Sequence, residues 1–214
     1  MVRKWVNWRL GAVFVLVGAI LLGAALAMPW YAFVQKGTSY ATGRGAWQYD
    51  TLYYLGIPSW NGTVQYSCSG AFECPAATSY STVSLDSTGA LAEFGLLFVS
   101  AAVVLGFLAG VLGAVVRRTA SRNTKVLVLG TVATVLGALV SVVYAATLQL
   151  GDGGPWNSFW GSTSGTTNVN QYTNSWGPGA GWYLSIAAVA ALLVGVAILY
   201  RHRRGPSWTW SRSR

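Results

Sequence analysis

The chain has 214 residues, of which 53% are hydrophobic and only 9% carry a charge. Soluble globular domains carry charge on about 25% of their residues, so the composition excludes an ordinary soluble domain and indicates a membrane protein. The net charge of +9 requires no nucleic-acid partner, because basic residues gathered at the cytoplasmic face beside anionic lipids account for it.

Four apolar blocks without a charged side chain predict four transmembrane helices, since each is long enough to cross the hydrocarbon core. The first block follows Arg3, Lys4 and Arg9 and resembles a secretory signal, with residues 23–27 similar to a cleavage site. Its apolar stretch is too long for a signal, so we interpret it as the first span. The four predicted spans cover residues 10–34, 94–116, 126–148 and 180–200.

Basic residues set the predicted orientation, because short cytoplasmic loops are enriched in Lys and Arg. Of the 14 Lys and Arg, all but Lys36 and Arg44 lie in residues 1–9, 117–125 and 201–214. We therefore expect a multi-pass protein of the cell membrane with both termini and the loop at 117–125 in the cytoplasm. Residues 35–93 and 149–179 are then extracellular.

The first extracellular segment predicts a small antiparallel sheet of three or four strands on the helix ends. Residues 45–54, 63–68 and 78–84 are rich in aromatic and β-branched residues and are separated by Gly and Pro. The second segment is rich in Gly, Ser, Thr and Asn, and we expect an irregular or short-hairpin cap packed against the first. The predicted fold is a four-helix membrane bundle with a β-sheet cap.

Cys68 and Cys74, the only cysteines, lie in the first extracellular segment. An oxidising environment and a tight hairpin favour a disulfide between them. A zinc site requires about four ligands, and the only histidine, His202, is on the other side of the membrane. A thioredoxin-like redox pair has the shorter Cys-x-x-Cys spacing. We therefore predict a disulfide-stapled cap and no metal site.

Asn61 begins an Asn-Gly-Thr sequon on the predicted extracellular side. It is a possible glycosylation site, and a turn asparagine is the alternative interpretation. Glu93, at the start of the second span, is interpreted as a first-turn acid favoured by the helix dipole. Binding of a cation or of a partner's arginine is the alternative.

Small residues recur at helix-packing spacing in two spans. Such faces let helix backbones approach closely, either within the bundle or against a neighbouring subunit. The predicted helix-packing residues are Gly106, Gly110 and Gly113 in span two and Ala187, Ala191 and Gly195 in span four.

Tryptophans flank the predicted spans, where amphipathic rings collect at headgroup depth. The basic tail at 201–214 contains two of them, and we expect it to lie on lipid, with a cytoplasmic partner as the alternative. The predicted interface anchors are Trp5, Trp8, Trp208 and Trp210 on the inner side and Trp30, Trp156 and Trp182 on the outer side.

Enzyme and cofactor templates find no match. The extracellular segments lack histidine, and there is no glycine-rich phosphate loop with its Lys and no His-Glu-x-x-His. We predict no catalytic site, no cofactor and no metal. Paired acids remain the one enzymatic alternative, and the candidates are Asp50, Glu73, Asp86, Glu93 and Asp152.

The layout resembles the claudin and peripheral-myelin-protein superfamily. Trp30 follows span one, Trp60 ends a Leu-Gly-Ile-Pro-Ser-Trp stretch, and Cys68 and Cys74 come next. The family's Gly-Leu-Trp has two extra residues here, and its cysteine pair is wider spaced. The Gly-Pro-Gly before span four is also similar to small prokaryotic four-span proteins. The resemblance implies a four-span fold with a stapled sheet.

Two main functions are expected from these observations. The first is a non-enzymatic structural or accessory subunit of a larger membrane assembly, in contact with lipid, with other integral subunits or with copies of itself. The second, implied by the resemblance, is claudin-like adhesion through the extracellular sheet. An oligomeric channel or transporter component is a further alternative.

Overall fold

The computed structural model describes residues 2–41, 45–55, 62–69, 78–80, 86–115, 120–150, 159–166 and 170–202. Helices at the two ends and in the middle of the chain alternate with two sets of strands. In chain order the elements are α1 (Val2–Leu26), β1 (Tyr31–Ala41), β2 (Gly45–Leu55), β3 (Gly62–Ser69), β4 (Thr78–Tyr80), α2 (Asp86–Val115), α3 (Ala120–Leu150), β5 (Gly161–Thr166), β6 (Asn170–Pro178) and α4 (Ala180–Arg201).

Four helices in the described part of the chain are long and apolar enough to cross a membrane. Their apolar portions are Asn7–Leu26, Phe94–Val115, Asn123–Ala146 and Ala180–Arg201. Three of these coincide closely with the predicted spans two to four. α2 itself begins earlier, at Asp86, so that its first two turns precede the apolar portion.

The first span ends earlier than the sequence predicts. α1 stops at Leu26, and residues 31–34 of the predicted span belong to β1. Pro29 explains the difference, because a proline lacks the N–H that would continue the helix and its ring clashes with the preceding turn. Two hydrogen bonds that each span three residues close the end of the helix: Ala27 N–H donates to Ala24 O, and Met28 N–H donates to Ala25 O.

The strands form one six-stranded antiparallel sheet in the order β4-β3-β2-β1-β6-β5. β6 pairs with β1 from Tyr31↔Pro178 to Ser39↔Asn170, so the sheet combines the two segments that were predicted to be extracellular. The first segment contributes four strands, within the three or four expected, and the second contributes the β5–β6 hairpin, which agrees with the hairpin alternative of its prediction.

The predicted strands of the first segment correspond to β2, β3 and β4. β1 was missed because Tyr31, Phe33 and Val34 continue the apolar run of the first block. Strand β1 is nevertheless central, since it pairs with β2 on one side and β6 on the other.

The chain divides into two compact units. The first consists of Met1–Gly23, Phe98–Leu139 and Ser185–Arg214, and its apolar core is helical. The second consists of Ala24–Leu97 and Val140–Leu184 and contains all six strands with the adjoining helix ends. Buried core residues of the first unit are Trp8, Val15, Ala109, Val126, Leu192 and Leu199.

Candidate functional site

In the first unit, the glycines of the predicted packing face of α2 contact α1. A Cβ added at Gly110 would lie 2.8 Å from Leu16 Cβ and 3.0 Å from its Cα, and one at Gly113 would lie 2.8 Å from Ala12 Cβ. At Gly106 the nearest atom is Ala19 Cβ, at 3.1 Å. The structure thus places all three glycines inside the protein, where they let two backbones approach.

The predicted packing residues of α4 divide between two environments. A Cβ at Gly195 would lie 2.8 Å from Gly11 O and from Val15 N, so this glycine lies against the backbone of α1. Ala191 is half-buried and Ala187 is exposed. The small-residue spacing of α4 therefore does not mark one continuous buried face.

Trp8 is buried inside the first unit, with 2% of its surface exposed. Its indole Nε1–H donates a hydrogen bond to Gly113 O at 3.0 Å. Gly113 lies among the last four residues of α2, whose carbonyls have no partner within the helix. The ring predicted as an interface anchor thus packs within protein and satisfies a helix end.

Trp30 makes the corresponding bond in the second unit. Its ring is fully buried, and its Nε1–H donates to Ala25 O at 2.8 Å, at the end of α1. The ring meets Tyr144 edge-on, with centroids 5.3 Å apart, a geometry that aromatic pairs prefer. Like Trp8, this predicted anchor is surrounded by protein.

Two glycines connect the start of α4 to the chain around Trp30. Gly179 N donates to Trp30 O and Gly181 N donates to Pro29 O, both at 2.8 Å. A Cβ at Gly179 would collide with Pro29 O, and one at Gly181 would lie 2.6 Å from Trp30 Cδ1. We call these four residues, Pro29, Trp30, Gly179 and Gly181, the Trp30 junction. It fixes the start of β1 beside the end of β6.

An aromatic cluster adjoins the Trp30 junction. Phe159 contacts Tyr31 and Trp182 with centroids 5.9 and 5.1 Å apart, and Trp182 Nε1–H donates to Ser141 O of α3 at 3.0 Å. Burial raises the pKa of the Tyr31 phenol above its ordinary value, because ionisation would leave a charge out of water. Phe159 carries no periodic or motif signal in the sequence and was not among the predicted site residues.

One interpretation of an acidic residue is corrected. α2 begins at Asp86, so Asp86 and not Glu93 occupies the first turn, where the helix dipole favours an acid. The apolar block from residue 94 misplaced the helix start, because the eight residues before it are helical without being apolar throughout.

Several predicted site residues lie outside the described residues, and two others are assigned only to the element that contains them. Cys68 lies in β3, but Cys74 is outside the described residues, so the disulfide stays a prediction. Trp5 lies in α1. The other predicted residues outside the described ranges are Asn61, Trp156, Trp208 and Trp210, together with the candidate acids Glu73 and Asp152.

A polar groove crosses β1, β6 and β5 in the second unit. Three registered rows form it: Thr38–Gln171–Thr166, Gly37–Tyr172–Gly165 and Lys36–Thr173–Ser164. Side chains alternate between the two faces of a sheet, so the first and third rows share a face and the middle row belongs to the other. These nine residues line a cavity of about 690 Å³.

The middle row contributes only backbone to the floor of this groove, because its one large side chain, that of Tyr172, lies on the opposite face. A Cβ added at Gly165 would lie 2.5 Å from the Tyr172 ring, so the ring covers Gly165 on the opposite face of the sheet. An aromatic ring over a glycine of an edge strand stabilises the strand pair. The groove is therefore a trench with a backbone floor and two walls of side chains, which we call the Lys36 trench.

β5 is one of the two edge strands of the sheet. The other, β4, has only three residues, whereas β5 has six, with the sequence Gly-Ser-Thr-Ser-Gly-Thr. Ser162, Thr163, Ser164 and Thr166 are exposed. Natural edge strands are usually protected by Lys, Pro or a bulge, and β5 contains neither Lys nor Pro. The β5 edge can therefore accept a further strand.

Among the described residues, no three His, Cys, Asp or Glu lie close enough together to hold a metal ion. In that part of the chain the buried Asn, Ser and Thr residues are Asn123, Thr134, Ser141 and Ser185, and the buried phenols of Tyr31 and Tyr144 are kept neutral by their burial. Thr134 Oγ1–H donates to Gly130 O of its own helix at 2.8 Å.

No known family model matches the chain, and no curated protein matches it significantly in sequence.

Proposed function

We propose that the protein is a non-enzymatic multi-pass membrane protein that serves as a structural or accessory subunit of a larger membrane assembly. The sheet lies outside the cell, and both termini lie in the cytoplasm. The distribution of Lys and Arg supports this orientation, since the basic residues of the sequence are concentrated beside the other ends of the helices.

The β5 edge is the observation that carries the proposal. An exposed, unprotected edge strand accepts a strand from a partner, which then gains main-chain hydrogen bonds. The packing glycines of α2 do not form a competing docking surface. Gly106, Gly110 and Gly113 pack against α1, so they are not available for a neighbouring subunit.

The disulfide between Cys68 and Cys74 is part of the same proposal. It would staple β3, the strand next to the short edge strand β4, in the oxidising environment outside the cell. Mass spectrometry of a non-reduced digest tests it: the linked peptide is expected, and two free thiols in freshly prepared membranes would contradict it.

A second candidate function uses the same edge between copies of this chain. The resemblance to claudins implies self-association through the extracellular sheet, expected from the edge strands of the first segment, and the β5 edge offers a further place where two copies could pair between cells or along one membrane. A channel or transporter is less well supported, because the buried polar residues of the described spans are few and carry no charge.

Site-specific photocrosslinking in native membranes distinguishes the partner. A photoreactive residue replaces Thr163 on the β5 edge, and the matched control replaces Val135, which is 58% exposed on α3. We expect Thr163 to capture a different integral membrane protein and Val135 to capture lipid. Capture only of this same chain would favour the adhesion function instead.

Purification in mild detergent is a second test of the proposal. An accessory subunit is expected to copurify with its partner, as native mass spectrometry would show. A lone monomer that copurifies with nothing, together with no protein adduct from Thr163, would refute both candidate functions.

A further inference from the structure

The walls of the Lys36 trench consist of polar side chains. One wall consists of Thr38, Gln171 and Thr166, and the other of Lys36, Thr173 and Ser164. Four hydroxyls and an amide are groups that both donate and accept hydrogen bonds, and the ammonium of Lys36 adds one positive charge. Except for Thr38, which is half-buried, these side chains are exposed.

The dimensions of the trench follow from strand geometry. Its walls are two residues apart along each strand, about 7 Å, and three strands span about 10 Å across the sheet. The volume of about 690 Å³ lies within the usual range of ligand sites. The trench therefore accepts an elongated ligand that lies across the strands.

The lining selects among ligand classes. An apolar peptide side chain would need an apolar pocket, and the walls contain no aliphatic residue. A compact anion such as phosphate is normally held by several charge-assisted bonds, and the lining offers one cation. A chain of sugar hydroxyls matches the mixed donors and acceptors of Ser, Thr and Gln.

We propose that the Lys36 trench binds an acidic sugar chain, with its hydroxyls on the Thr, Ser and Gln walls and a carboxylate on Lys36. Asp50 of β2 occupies the register position opposite Lys36 on the side away from the trench. Thr173 of β6 is the register neighbour of Lys36 on the trench side, and we expect the ligand carboxylate on this side, away from Asp50. This activity is separate from docking at the β5 edge.

Saturation-transfer NMR on the full-length protein in phosphatidylcholine nanodiscs tests the proposal. The probes are digalacturonate, the neutral galactobiose of the same linkage, and glutarate, which has carboxylates without sugar hydroxyls. Digalacturonate should bind best, galactobiose more weakly and glutarate not at all. Absence of transfer to either sugar, or equal binding of glutarate, would overturn the proposal.

Variants locate the site on the trench. Lys36→Gln should weaken digalacturonate binding by about tenfold, the worth of a charge-assisted bond, and leave galactobiose binding unchanged. Thr166→Val should weaken the binding of both sugars. Thr163→Val, the same change on the same strand but on the opposite face, should weaken neither. Equal losses for Thr163→Val and Thr166→Val would place the sugar elsewhere and refute the trench.

A second arm distinguishes a free glycan from a lipid headgroup. Vesicles that contain glucuronosyl diacylglycerol are mixed with the nanodiscs and then treated with digalacturonate. Recruitment that digalacturonate reverses identifies a glycolipid, whereas sugar binding without recruitment identifies a soluble glycan, and both support the site. Recruitment that Lys36→Gln leaves intact would contradict it. Photocrosslinks from Thr163 should persist in the Lys36→Gln variant, so failure of sugar binding leaves the docking proposal standing.

Discussion

Gly110 and Gly23 are two helical glycines with opposite surroundings in the first unit. A Cβ at Gly110 would meet the Cβ and backbone of Leu16 within about 3 Å, whereas a Cβ at Gly23 would lie 3.7 Å from Val103, an ordinary contact. The small-residue spacing predicted Gly110 as a packing residue. The sequence could not show that α1 lies against Gly110 while Gly23 has room for a side chain, because that approach is a feature of the tertiary structure.

We therefore expect Gly110→Ala to destabilise the protein by about 1–3 kcal/mol, since α1 must move away. Gly23→Ala should stabilise it by about 0.5–1 kcal/mol, because alanine loses less backbone entropy in a helix. Unfolding in mixed detergent, followed by circular dichroism, measures both. Equal stability of the two variants would mean that α1 and α2 do not approach at Gly110.

Tyr31 gives a pH dependence with a definite sign. Because burial raises its pKa in the folded state, its contribution to stability is complete below the ordinary phenol pKa of about 10 and is lost as the pH rises beyond it. The midpoint of thermal unfolding should therefore fall less steeply for Tyr31→Phe than for the parent between about pH 9.5 and 11. Parallel curves would show that the Tyr31 phenol is not buried.

At the scale of elements, the register of β1 on β6 is the part of the fold that makes the sheet continuous. Thr38 lies directly opposite Gln171, whereas Ser175 lies opposite Val34. Directly opposed residues have Cβ atoms about 4.5–5.5 Å apart, close enough for a disulfide. Four residues along a strand add about 13 Å.

The double variant Thr38→Cys with Gln171→Cys should therefore form a disulfide under mild oxidation. Thr38→Cys with Ser175→Cys, on the same two strands, should remain reduced. Mass spectrometry of the digested protein identifies the linked peptides. Linkage of the second pair in preference to the first would mean that β1 and β6 pair in another register.

Local sequence signals predicted some elements and not others. Four spans, the first with its end placed too late, were predicted from apolar length, and three strands from aromatic and β-branched runs bounded by Gly and Pro. β1 was missed because its first residues extend an apolar block, and the β5–β6 hairpin could be predicted only as one of two alternatives because Gly-Ser-Thr-Ser-Gly-Thr has no apolar alternation. Both depend on partners distant in sequence, and so do the Lys36 trench, whose walls come from three strands, and the Trp30 junction.

At the scale of the whole molecule, a charge-poor chain combines four membrane-length helices with a six-stranded antiparallel sheet. The tryptophans Trp8 and Trp30 were predicted to contact lipid headgroups, yet both rings are buried and bond to backbone carbonyls at helix ends. The sequence shows that tryptophans gather near the ends of the spans. Whether a ring faces lipid or protein depends on packing that composition does not encode.

Everything proposed for the sheet requires that it lie outside the cell, and labelling of intact cells tests this directly. A membrane-impermeant maleimide is applied to Thr173→Cys, on the exposed face of β6, and to Lys125→Cys, an exposed residue near the start of α3. We expect Thr173→Cys to be labelled in intact cells and Lys125→Cys only after lysis. Labelling of Lys125→Cys but not of Thr173→Cys in intact cells would invert the topology and remove the sheet as an extracellular contact surface.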